Sequence, residues 1–107
     1  MRRNPYFQGV YFFVLGEAHR LMGNYDEAVA GFEAYRDALP KSPLPLNMLA
    51  ATYAEAGRLQ EARATAKDIL KRNPRSSIKR VAKFRRYRNP KVLVRFIASL
   101  RKAGLPE

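Results

Sequence analysis

The chain has 107 residues, 47% of them apolar, and no cysteine. That length supports one domain with its own core, and the lack of cysteine excludes a disulfide framework and thiolate catalysis. The formal charge is +12, but residues 1–68 balance eight Lys/Arg against eight Asp/Glu, while residues 69–107 hold thirteen Lys/Arg and only Glu107.

The first apolar run, Val10 to Leu15, has six residues. A membrane helix needs about 18, and a secretory leader needs a longer apolar core as well. The default expectation is a soluble, cytoplasmic protein without a membrane partner.

In chain order, the first predicted helix opens with Asn4 as cap and Pro5 at its first position, and it ends at Gly23. A second helix follows, with Asp26 and Glu27 in its first turn, where the helix dipole favours acids. Ala28, Phe32 and Tyr35 recur along it at helical spacing, and Pro40 stops it. A third helix is predicted from about Leu44 to Ala56, then Gly57, then a fourth from about Leu59 to Arg72, then Pro74.

The second pair repeats the first at an interval of 34 residues: Gly23 matches Gly57, Glu27 matches Glu61, and Ala28 matches Ala62. Leu15 recurs as Leu49, Gly16 as Ala50, and Pro40 as Pro74. A fixed period of this length is the mark of stacked helical units. Gly16, Ala50, Ala28 and Ala62 are small enough to let paired helices approach closely.

Beyond Pro74 the repeat fades. Ser76 or Ser77 can cap a short helix over "SIKRVAKF", with Ile78, Val81, Ala82 and Phe84 apolar. Asn89 and Pro90 then start a last helix with Leu93, Phe96, Ile97 and Leu100 on one stripe, closed by Gly104 and Pro106.

Leu15-Gly16, Ala28, Phe32 and Pro40, followed by Leu49-Ala50, Tyr53, Ala62 and Pro74, resemble the tetratricopeptide repeat (TPR). Phe12 and Leu46 stand where that family often has Trp, and His19 where it often has Tyr. The resemblance implies an all-α, right-handed stack of antiparallel pairs, about six helices in one domain. Repeat 1 covers about 9–42, repeat 2 about 43–76, and a degenerate basic capping pair covers 77–107. The closing "FRRYRNPKVLVRFIASLRKAGLPE" resembles the ends of bacterial signalling proteins in which TPR repeats follow a class III adenylate/guanylate cyclase or a winged-helix domain. On that likeness the chain is the C-terminal part of a longer signalling protein.

The TPR likeness also implies a partner surface. The concave side would carry Phe13, Glu17, Arg20, Asn47, Ala51 and Ala54. A subtype of the family clamps a peptide carboxylate with Lys, Asn and Arg, but the matching positions here are Phe13, Glu17, Met48, Ile78 and Ala82, which cannot do so. The expected partner is a protein or peptide, or the protein's own upstream effector domain.

Other chemistry finds little support in the residues. His19 is the single histidine, which leaves no zinc set of usual spacing and no catalytic pair. No glycine-rich phosphate loop occurs, so no cofactor, metal site or enzymatic activity is expected. The aromatic group Tyr6, Phe7, Tyr11, Phe12 and Phe13 reads either as core or as an interface, including a homodimer through exposed end helices. Arg75, Lys79, Arg80, Lys83, Arg86 and Arg88 form an acid-free basic surface interleaved with Phe84 and Tyr87. It reads as a solvated face, a protein dock, or the alternative function of binding nucleic acid or another polyanion.

Overall fold

The computed structural model describes residues 5–84 and 89–107, with the backbone alone at 5–7 and 84. Among the described residues there are six helices: α1 (Pro5–Leu21), α2 (Tyr25–Ala38), α3 (Leu44–Glu55), α4 (Leu59–Arg72), α5 (Ile78–Phe84) and α6 (Pro90–Ala103). The all-α expectation holds, and α4 has the boundaries its sequence pattern predicts.

The 34-residue period reappears as duplicated hydrogen bonds. After α1, Asn24 N–H reaches the His19 carbonyl at 2.8 Å, and after α3, Arg58 N–H reaches the Tyr53 carbonyl at 2.8 Å. Both turns pass through a glycine with positive φ, 82° at Gly23 and 81° at Gly57, where a Cβ would be strained. These bonds satisfy carbonyls that a helix end leaves unpaired.

α1 packs on α2 and α3 on α4, and α2 joins the two pairs by packing on α3. The α1–α2 crossing is close because Gly16 of α1 and Gly31 of α2 carry no side chain where they meet. A Cβ added to Gly31 would stand 3.0 Å from the Gly16 Cα, and one added to Gly16 would stand 2.9 Å from the Phe32 ring. Ala28, Phe32, Leu49, Ala50 and Ala62 are all buried in the core between the helices.

The last third docks by its own means. The Ser77 hydroxyl accepts from Arg80 N–H at the start of α5, and Asn89 Oδ1 accepts from Lys91 N–H at 2.9 Å at the start of α6. Gly104 ends α6 with φ 96°. α6 turns Phe96 and Leu100 fully inward and leaves Leu93 and Ile97 half-buried. It packs chiefly on α3, and less on α4 and α5.

The direction of α6 follows from its two ends. Ser99, in its second half, meets Glu55 at the end of α3. Beyond α6, the Pro106 carbonyl accepts from Ile78 N–H at 2.7 Å. The same α5 brings Arg80 and Val81 to a cleft shared with Leu44 and Asn47 at the start of α3. α6 therefore lies antiparallel to α3.

Candidate functional site

α3 is an apolar helix whose single charge is Glu55, in its last position. That carboxylate is almost wholly buried and gathers three helices. Arg20 of α1 donates to its Oε2 at 2.5 Å, and the Ser99 hydroxyl of α6 lies 2.8 Å from the same oxygen. Arg95 of α6 stands 3.0 Å from its Oε1 and also donates to the Tyr25 hydroxyl at 2.9 Å.

Arg20 is fully buried, which a charged side chain tolerates only when it is paired. Its Nε donates to Glu17 Oε1 at 2.7 Å, one turn back on α1. Its guanidinium also lies 5.6 Å from the centroid of the Phe96 ring, a cation–π contact with α6. The polar centre thus ties α6 to α1, α2 and α3 at once.

The residues expected to line an open concave surface are mostly enclosed. Glu17, Arg20, Asn47, Ala51 and Ala54 are buried, and Phe13 is half-buried against Phe32 and Tyr35. Ala51 lies one turn before Glu55, on the stripe of α3 that carries the contact with α6. The expectation left out Glu55, Arg95, Ser99 and Tyr25, which form the contact itself. One sequence signal pointed there: Glu55 is the lone charge in an apolar helix.

The basic surface is open where it is described. Arg75, Lys79, Arg80 and Lys83 are exposed, and among the described residues none forms an ion pair. Arg86 and Arg88, with Tyr87, lie outside the described residues, as do the side chains of Tyr6, Phe7 and Phe84. Of the remaining aromatic group, Tyr11 is exposed and Phe12 is half-buried.

Elsewhere, burial raises the Tyr53 phenol above its usual range, helped by Glu33 and Glu61 and opposed by Arg58. The Arg58 guanidinium packs 5.0 Å from the Tyr53 ring centroid while donating twice to Glu61 at 2.7 Å. His19 is half-buried with Asn24 Nδ2 3.5 Å from its Nδ1. Among the described residues no group of His, Cys, Asp or Glu could hold a metal ion, and no helix is long and apolar enough to cross a membrane.

The tetratricopeptide repeat family model matches residues 19–83, more than half of the chain. The chain belongs to the tetratricopeptide repeat family. No curated protein and no solved structure matches. TPR units stack into a curved array with an extended concave side. In this TPR chain the residues expected on that side are buried, save half-buried Phe13, and α6, packed on α3, also contacts Arg20 of the first pair. TPR domains generally mediate protein–protein interaction, and the family points to an interaction module rather than a catalyst.

Proposed function

We propose that this TPR chain is a non-catalytic scaffold that holds a partner helix in a fixed orientation, as the C-terminal regulatory region of a bacterial adenylate/guanylate cyclase-type signalling protein. The observation that carries the helix-binding part is the seating of α6. An amphipathic helix bearing Arg95, Phe96, Ser99 and Leu100 lies against α3, held through Glu55 and Arg20. The site therefore suits a basic amphipathic helix, read through anchors at helical spacing. The signalling context rests on the likeness of the closing residues, Tyr87 to Pro106, and the partner is either a separate protein or the effector domain of the same protein.

The test uses a labelled peptide of residues 89–107 added to the intact chain and to its Ser99→Glu variant. Glu at position 99 sets a second carboxylate beside buried Glu55 and loosens α6. The variant is expected to bind the peptide in trans while the parent does not. Absence of binding to the variant, with its helices intact by circular dichroism, contradicts the reading.

A second reading rests on the open basic surface: Arg75, Lys79, Arg80 and Lys83, continued in sequence by Arg86 and Arg88, engage nucleic acid or another polyanion. Its test is fluorescence anisotropy of mixed-sequence DNA and RNA at about 50 and 200 mM salt, where phosphate contacts make affinity fall steeply. Absence of binding at the lower salt removes this reading and leaves the first one standing.

A further inference from the structure

The cleft between the start of α3 and α5 holds a polar group that the fold does not use. Asn47 is 9% exposed, and its Oδ1 has no hydrogen-bond partner among the described residues. Burying an amide without a partner is costly, so a group of this kind calls for something that pairs with it. The internal repeat shows that packing does not ask for it. Phe13 stands 34 residues before Asn47 and Val81 stands 34 residues after it, both apolar. Only the middle unit sets a carboxamide at this register, and there it lines a cavity of about 330 Å³. That volume is at the small end of ligand sites.

The walls define what fits. Leu44 and Val81 are apolar, while Ser42 and Ser76 come from the loops that enter α3 and α5. The N-cap of α3 is Pro43, which gives no side-chain hydrogen bond to the first N–H groups of the helix. Those donors and the positive end of the helix dipole therefore stay at this end of the cleft. Arg80 lines the same cleft, exposed and without an ion pair among the described residues. No acidic side chain lines it. Glu107, whose carbonyl accepts from Lys79 N–H at the start of α5, has its carboxylate taken up by Arg101.

Donors and positive charge without a carboxylate select an anion. Two features favour a phosphate over a carboxylate. Arg75, Lys79 and Lys83 are exposed near Arg80 in sequence, so a dianion gains more at this mouth than a monoanion. The donors also exceed what two carboxylate oxygens accept: Ser42, Ser76, Arg80 and the start of α3 suit the three free oxygens of a phosphomonoester. A half-turn about the last side-chain bond of Asn47 presents Nδ2 in place of Oδ1, a further donor to the same group.

We propose that this cleft binds a small phosphomonoester, with its phosphate at Arg80 and Asn47 and its organic body against Leu44 and Val81. The site is independent of the nucleic-acid reading, which needs the outward charges but no buried carboxamide.

The test follows the Asn47 carboxamide by nuclear magnetic resonance on the isotope-labelled full chain. Phenyl phosphate, inorganic phosphate or benzoate is added to about 10 mM at a pH of about 7.5, where a phosphomonoester is a dianion. Phenyl phosphate is expected to shift the Asn47 signals saturably. Inorganic phosphate, which leaves the apolar walls bare, and benzoate, with its single charge, are expected to bind about tenfold more weakly or worse. Arg80→Glu is expected to weaken phenyl phosphate by about tenfold or more, and Lys83→Glu, the same charge change outside the cleft, by no more than about threefold. Asn47→Leu, followed through the Val81 amide, is expected to weaken it by about tenfold with the melting temperature kept. Asn47 signals that do not move with phenyl phosphate overturn the proposal. Equal binding of benzoate overturns the choice of phosphate. Equal losses in Arg80→Glu and Lys83→Glu overturn the cleft as the site and leave a charged surface alone.

Discussion

Arg20 on α1 and Glu55 on α3, thirty-five residues apart, share a buried ion pair whose acceptor oxygen also lies within hydrogen-bond reach of Ser99 on α6. One carboxylate thereby couples the first repeat, the second repeat and the last helix. The pair lies among the residues expected on the concave side, and the chain's own α6 packs over it.

Removing one member of this pair leaves the other buried and under-compensated. Glu55→Ala is expected to destabilise the chain by about 3 kcal/mol, because Arg20 keeps Glu17 but loses its second carboxylate. Replacing both groups by apolar residues, Arg20→Met with Glu55→Leu, should recover most of that loss. Urea unfolding of the two variants and the parent checks this. A double variant no more stable than Glu55→Ala contradicts it.

Close approach at Gly31 predicts a second cost. Gly31→Ala places a methyl group 3.0 Å from the Gly16 Cα and 3.1 Å from its nitrogen, both rigid backbone atoms. Overpacking of this kind costs about 1–3 kcal/mol and outweighs the better helix propensity of Ala. The melting temperature should fall by about 5–15 °C on that basis. A melting temperature equal to or above the parent's shows that the helices can separate without loss.

Tyr53 gives a dependence on alkaline pH. Burial, chiefly, holds its phenol protonated beyond the usual range of a tyrosine. The folded state therefore keeps this proton more tightly than the unfolded chain does. The contribution is fully present below the unfolded value and is lost as pH rises through the folded one. Between pH of about 9 and 12 the parent should lose stability more steeply than Tyr53→Phe. Parallel profiles from urea unfolding contradict this.

The cap of α6 is a local test. Asn89 Oδ1 receives the Lys91 N–H, so Asn89→Ala should cost about 1 kcal/mol while Asn89→Asp keeps most of it. Chemical denaturation distinguishes the two, and equal losses in both variants place the effect elsewhere.

The sequence announces what is local and periodic. Gly23 and Gly57, the acids at the start of α2, Asn89 and Gly104 are set by neighbours in the chain, so their roles can be read from spacing alone. Gly31 escaped because its meaning lies in what stands opposite, Gly16 on another helix. The burial of Glu17, Arg20 and Ala51 escaped for the same reason. Whether Arg20 faces solvent depends on where α6 packs, and helical periodicity carries no information about that. The stripe of Leu93, Phe96, Ile97 and Leu100 showed that α6 has a face to bury but not against which helix.

The position of α6 is open to one decisive observation in solution. Nuclear Overhauser contacts between the Phe96 ring and the Arg20 side chain, measured on the isotope-labelled full chain, report whether the last helix reaches the first repeat. The structure predicts such contacts, together with contacts from Ser99 to Glu55. Phe96 contacts confined to α4 and α5 would place α6 at the end of the stack and leave the groove open.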